Sequence, residues 1–264
     1  MPQAGNDSNP IQYWGRETQV SSKVSLAILI PCFNEENTIS QVLDGMTLLR
    51  QQIDFELVVV DDGSTDTTLD IVNSREHEIT EIIALEKNAG KGRAIVEGLK
   101  RITSEYVLIQ DADLEYNYHD IFELWKIVLE HSADVVMSTR LNGARVSRVH
   151  YFWHKIGNKL ITFVFNLLNN TTFTDIYSGY IIFKPKLLDI NQLVFNRWGQ
   201  QAEILTFLTH RSSRIYESPI AYFGRTYDEG KKIRVSAVFS VVLAIFLTRL
   251  KVQFLKKHTV YTSQ

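Results

Sequence analysis

The sequence predicts an α/β fold, with a mostly parallel central sheet flanked by helices. Three observations predict it. Short apolar runs alternate with stretches of helical spacing from residue 24 to residue 138, the pattern of a parallel sheet with crossover helices. The runs at 55–60 and 106–110 are almost continuously apolar, as strands covered on both faces require. Acids follow three of the runs: Glu35, then Asp61 and Asp62, then Asp111 and Asp113. Open parallel sheets bind ligands beyond the carboxyl ends of their strands.

Residues 24–30 form the first expected strand, stopped by Pro31. Ile39, Val42, Leu43 and Met46 then fall at helical spacing, with Asn34 or Asn37 available as a cap. Residues 55–60 make the second strand, and the turn Gly63-Ser64-Thr65-Asp66 leads to a helix through Ile71 and Val72. A third strand covers 81–86. The glycine-spaced basic loop Lys87-Asn88-Ala89-Gly90-Lys91-Gly92-Arg93 follows, and then a helix over 94–102. Residues 106–110 are the fourth strand. A helix at 120–131 keeps Ile121, Leu124, Ile127 and Val128 on one side, and 134–138 is the fifth strand. Further on, 149–168 and 235–250 read as apolar helices.

Composition bounds the function. A chain of 264 residues holds one large α/β domain or two small ones. Its 45% hydrophobic and 22% charged content is ordinary for a globular protein. A net charge of −2 argues against a nucleic-acid partner. Cys32 is the single cysteine, so an intramolecular disulfide and a cysteine-cluster zinc site are excluded. Its expected role is packing. The first twenty residues are polar and do not form a signal peptide. No apolar run reaches the ~18–20 residues of a membrane span. The longest, 235–247, is interrupted by Ser236 and Ser240. Neither Gly-x-Gly-x-x-Gly nor the Gly-x-x-x-x-Gly-Lys phosphate loop is present.

Asp111 and Asp113 are the centre of the reading. Alternate residues of extended chain point the same way, so both carboxylates can face one spot. Such an oxygen-rich pair suits a hard divalent ion, Mg²⁺ or Mn²⁺, completed by substrate phosphates. Lys87, Lys91 and Arg93 stand at a helix start, which favours an anion such as a diphosphate; the alternative is that they simply solvate that helix start.

Ile30-Pro31-Cys32-Phe33-Asn34-Glu35-Glu36, Val60-Asp61-Asp62-Gly63-Ser64-Thr65-Asp66, Asn88-Ala89-Gly90-Lys91-Gly92 and Asp111-Ala112-Asp113-Leu114 together resemble the family 2 inverting glycosyltransferases of GT-A fold, the nucleotide-diphospho-sugar transferase fold. The second half is similar to the dolichyl- or polyprenyl-phosphate mannose and glucose synthases. The similar stretches are Gly157-Asn158-Lys159-Leu160, Thr174 to Tyr180, Glu203-Ile204 and Gly224 to Ile233. The resemblance implies residue roles. Pro31, Phe33, Glu35, Asp61, Asp62, Lys91, Asp111 and Ala112 would bind the nucleotide sugar. Asp111 and Asp113 would carry Mg²⁺ or Mn²⁺. Arg225 and Lys231 would grip an acceptor phosphate from a mobile loop. Asp175 and Glu203 are the candidate carboxylate bases should the acceptor be a sugar hydroxyl. Where many relatives carry a lysine after the tyrosine, this chain has Ile181. Phe33 replaces a frequent tyrosine, keeping the ring and losing the hydroxyl.

The expected activity is metal-dependent, inverting transfer of a hexose from a GDP-mannose or UDP-glucose type donor to a polyprenyl or dolichyl phosphate. Alternatives are transfer to a sugar hydroxyl in capsule or lipopolysaccharide synthesis, a non-catalytic nucleotide-sugar-binding protein, and a phosphoacceptor signalling domain. The expected organisation is a polar arm at 1–22, a GT-A catalytic domain at 23–225, and an acceptor loop with a C-terminal basic, apolar, amphipathic helix at 226–264. Apolar stretches flanked by cations suit a membrane surface rather than a span, and equally suit burial against the catalytic domain or a dimer contact. The expected location is cytoplasmic, peripheral on the cytoplasmic face of a membrane.

Overall fold

The computed structural model describes residues 24–141, 143, 152–224 and 235–261. Its strands are β1 (Leu26–Cys32), β2 (Glu56–Asp61), β3 (Glu81–Ala84), β4 (Tyr106–Ile109), β5 (Val135–Thr139), β6 (Ile181–Phe183) and β7 (Ile215–Pro219). Its helices are α1 (Ile39–Leu49), α2 (Thr68–Ser74), α3 (Lys91–Leu99), α4 (His119–His131), α5 (Phe152–Asn169), α6 (Gln200–Arg211) and α7 (Val235–Tyr261). The strands form one sheet in the order β3-β2-β1-β4-β6-β5-β7. β1 pairs in parallel with both β2 and β4. β6 lies antiparallel between β4 and β5.

Alternation along β1 divides the core. Leu26, Ile28 and Ile30 pack with α1 and α4 through Leu43, Met46, Leu124 and Trp125. Ala27 and Leu29 face the other way, toward α3, α5, α6 and α7 through Ile95, Phe165, Leu205 and Ile245. Both faces are therefore covered, which explains why the strands read as unbroken apolar runs. Cys32 is buried at the end of β1, and its Sγ lies 3.6 Å from Val60 O, as packing predicts.

Three elements are additional to the sequence reading: β6, α6 and β7. β6 has only three residues, too few for a periodicity. β7 carries polar Glu217 and Ser218 among its five. The caps also differ. Asn34 sits at φ +52° and caps nothing on α1. Its Oδ1 accepts instead from Thr65 N at 2.8 Å, joining the ends of β1 and β2. At the start of α2, the Asp66 carboxylate accepts from Thr68 N at 3.0 Å.

Candidate active site

β2, β1 and β4 are neighbours and run the same way. Their carboxyl ends therefore release Asp61-Asp62, Phe33-Asn34-Glu35 and Asp111-Ala112-Asp113 along one edge of the sheet. Each turn is held by a different device. Asp62 N donates to Cys32 O at 2.8 Å, and the buried Asp62 carboxylate accepts from Ala89 N and Gly90 N, both at 2.8 Å. Those two bonds fasten the glycine loop to β2. Asp61 is buried and accepts from Ser64 N at 2.9 Å. Pro31 is buried within β1, while the Phe33 ring is 40% exposed, leaving a face for stacking.

Thr38 ties the first turn to the third. Its Oγ1 lies 2.9 Å from Glu35 Oε2 and 2.8 Å from Ala112 O. The backbone between the two aspartates is thus anchored to the start of α1. Asp113 is nearly buried, and its Oδ1 accepts from Glu115 N at 3.1 Å. Asp111 is less buried, and the Lys91 ammonium donates to its Oδ1.

Lys91 is the first residue of α3. Gly90 before it sits at φ +97°, and a Cβ there would meet Asn196 O at 2.4 Å, so only glycine fits. Gly92 N donates to Asn196 O at 2.9 Å, which fixes the glycine loop from the other side. Arg93 turns away and pairs with Glu97 at 2.6 Å. Lys87 is exposed.

Asp175 and Glu203 are not at this edge's open surface. Asp175 is fully buried. Arg140, which directly follows β5, embraces it with Nε at 2.7 Å and Nη2 at 3.0 Å, and Asn158 of α5 adds 2.7 Å. Burial pushes the Asp175 carboxyl up, but Arg140 outweighs it and holds the group below the ordinary carboxylate range. Glu203 is equally buried in α6 and accepts from Val194 N and Phe195 N at 3.0 Å. Burial pushes its carboxyl up. Arg225 and Lys231 lie outside the described residues.

The structure adds a group that the sequence reading did not name. The Arg140 guanidinium stands 4.9 Å over the Tyr222 ring, and Tyr222 donates to Glu115 Oε2 at 2.8 Å. Tyr116 OH accepts from Gly179 N at 2.8 Å. This network joins the Asp113 turn, the end of β5 and the 174–179 loop. Arg140 was findable, because it too follows the carboxyl end of a strand in the same sheet.

Among the described residues no three His, Cys, Asp or Glu side chains converge as a metal cage. A hard divalent ion held by one or two carboxylates plus substrate phosphates does not need one. Asp111 and Asp113 offer hard oxygen donors from one turn, and the Lys91 ammonium already rests on Asp111. The residues fit such an ion.

Residues 27–189 match the family described as Glycosyl transferase family 2. The low-salt glycan biosynthesis hexosyltransferase Agl6 of Haloferax volcanii is 25% identical over 227 residues, spanning 84% of this chain and 54% of Agl6. This chain thus corresponds to about half of that relative. The UDP-N-acetylglucosamine–dolichyl-phosphate N-acetylglucosaminyltransferase of Methanococcus voltae is 25% identical over 84% of this chain and 95% of its own length. The dolichyl-phosphate beta-glucosyltransferase ALG5D of Trichomonas vaginalis is 26% identical over 87% and 74%. Among solved structures, glucosyl-3-phosphoglycerate synthase of Mycobacterium tuberculosis with Mn²⁺, UDP and glucosyl-3-phosphoglycerate superposes with a TM-score of 0.66 at 22% identity, covering 86% of this chain and 80% of that one. The same enzyme with Mg²⁺ and UDP gives 0.63 at 20% identity, covering 86% and 79%. The shared architecture is the GT-A fold.

Proposed function

Because this chain belongs to glycosyl transferase family 2 and is a glycosyltransferase, we propose that it moves a hexose from a nucleoside-diphosphate sugar to a polyprenyl or dolichyl phosphate, with inversion. The observation that carries the proposal is the gathering of Glu35, Asp61, Asp62, Asp111 and Asp113 at one sheet edge, beside Lys91 at the start of α3. Phe33 stacks on the base, and Glu35, Asp61 and Asp62 accept from base and ribose. Pro31 and Ala112 shape the pocket. Lys91 turns from Asp111 to the diphosphate, where the α3 N-terminus adds its dipole.

Asp111 and Asp113 would hold Mg²⁺ or Mn²⁺, which supplies charge neutralisation for the departing diphosphate. The acceptor attacks the anomeric carbon from the opposite face. A lipid monophosphate is already anionic and needs no base, only placement and charge screening. Asp175 and Glu203 support that choice, since both are buried and already occupied by hydrogen-bond donors. We assign them to positioning rather than proton removal. Arg225 and Lys231 are assigned to the acceptor phosphate. The catalytic unit is taken as 23–225, with 226–264 bringing the acceptor loop and the basic helix. The names of the Methanococcus and Trichomonas relatives support the lipid-phosphate acceptor. No helix among the described residues is long and apolar enough to cross a membrane. The proposed location is peripheral, on the cytoplasmic face.

The test is a transfer assay with labelled nucleotide sugars, Mg²⁺ or Mn²⁺, and short polyprenyl phosphates, beside Asp113→Ala. Labelled lipid from the wild type alone is the expected result. Donor hydrolysis without lipid product would move the acceptor to a glycan hydroxyl.

A further inference from the structure

α5 turns Ile161 and Phe165 into the core and leaves Phe152, Leu160, Phe163 and Leu167 in water. Their spacing puts them on one stripe of the helix. α7 likewise buries Val241 and Ile245 while exposing Phe239, Leu243 and Phe246. Exposure reaches 63% at Phe163, 71% at Leu167 and 75% at Phe239. The two helices pack on one another, and Arg249 Nε of α7 donates to Leu168 O of α5 at 2.7 Å. Ordinary surfaces do not concentrate large apolar side chains in this way.

The charge on these helices has one sign. Neither contains Asp or Glu; α5 carries Lys155 and Lys159 beside its stripe, while Arg249 and Lys251 of α7 turn to the protein, donating to Leu168 O and Gln192 O. Lys155 and Lys159 are exposed. An apolar stripe beside cations alone matches a helix lying in the plane of an anionic membrane interface. It fits a second copy poorly, because a two-fold contact sets a patch against itself and these helices hold no acids to neutralise the lysines.

We infer that α5 and α7 together are the surface by which this protein lies on an anionic bilayer. α5 links that surface to the candidate site, since Asn158 donates to the Asp175 carboxylate clasped by Arg140. A lipid-borne phosphate would thus reach the site from the membrane plane. The inference rests on the lipid-phosphate reading for its purpose, but its readout needs neither donor nor acceptor.

The experiment is flotation of the full chain with vesicles of phosphatidylcholine alone or with about one third phosphatidylglycerol. Wild type is compared with the double variant Phe163→Glu/Phe239→Glu and with Lys155→Gln/Lys159→Gln. Wild type is expected to float with the anionic vesicles. The glutamate pair should reduce binding about tenfold or more, and the glutamine pair should weaken it less and blunt its salt dependence. Both variants should keep the wild-type thermal midpoint and the transfer rate to a short, soluble acceptor. Wild type that stays behind, or a glutamate variant that floats equally well, overturns the inference. So does a wild-type dimer abolished by the glutamate pair in the absence of vesicle binding. Flotation without transfer to any polyprenyl phosphate sinks the acceptor reading and leaves the surface standing.

Discussion

Asp175 has no access to water and five donor contacts, from Arg140 Nε, Nη2 and N, from Asn158 and from Tyr177 N. Removing one partner of such a buried pair strands the other's charge, at a cost of about 3–5 kcal/mol. Asp175→Asn should therefore lower the thermal midpoint and the transfer rate together. Turnover lost at unchanged stability would instead make Asp175 a base. Glu78 offers a contrast far from the site. Arg75 grips it with two bonds, at 2.8 and 2.7 Å, and Thr47 donates a third. These hold its carboxyl at about 2, below its usual 4.5. The folded value is depressed, so the Glu78 contribution is complete above about 4.5 and is lost as pH falls through about 2. The difference in thermal midpoint between wild type and Glu78→Gln should narrow across that interval. A difference independent of pH would refute the assignment. The Arg140–Asp175 pairing was not legible in the sequence, because the two are 35 positions apart and no local pattern joins them, whereas Arg75 and Glu78 stand three positions apart.

At the scale of elements, α3 and α5 use glycine for opposite reasons. A Cβ on Gly92 would stand 2.4 Å from Phe195 O and 2.9 Å from Asn196 Cα. Gly92→Ala must push the 195–196 backbone off α3, and such overpacking costs about 1–3 kcal/mol. Urea unfolding should show that loss, and nucleoside-diphosphate affinity should fall with it because Lys91 is adjacent. A Cβ on Gly157 in α5 meets nothing within 4 Å. Gly157→Ala should stabilise by about 0.5–1 kcal/mol. Loss of stability there would mean that the helix face is covered. The strands β1, β2 and β4 were legible because their apolar runs are long enough to exceed background. α6 was not, since its first turns bury Gln200 and Glu203 alongside Ala202 and Ile204, which erases the polar face that marks an amphipathic helix.

For the molecule as a whole, ligand binding should be readable as stability. A nucleoside diphosphate with Mn²⁺ at about a hundred times its Kd adds about 2.7 kcal/mol. In a chain of this size that is a rise in thermal midpoint on the order of 5–10 °C. EDTA should remove most of it, and equal stabilisation by nucleotide without metal would count against the Asp111–Asp113 assignment. The strand–helix alternation, and the acids after three strands, were written in local spacing, because a strand buried on both faces must be apolar and a ligand edge must be polar. Local spacing also marked the apolar helices at the end of the chain. Sheet order is another matter. That β1 lies between β2 and β4, bringing three acid-bearing turns to one edge, depends on contacts between segments up to 80 residues apart. The same is true of β6 inserting antiparallel between β4 and β5, of Arg140 closing on Asp175, and of the side of α5 and α7 that stays in water. Each was decided by which surfaces remained to be covered once the core had packed.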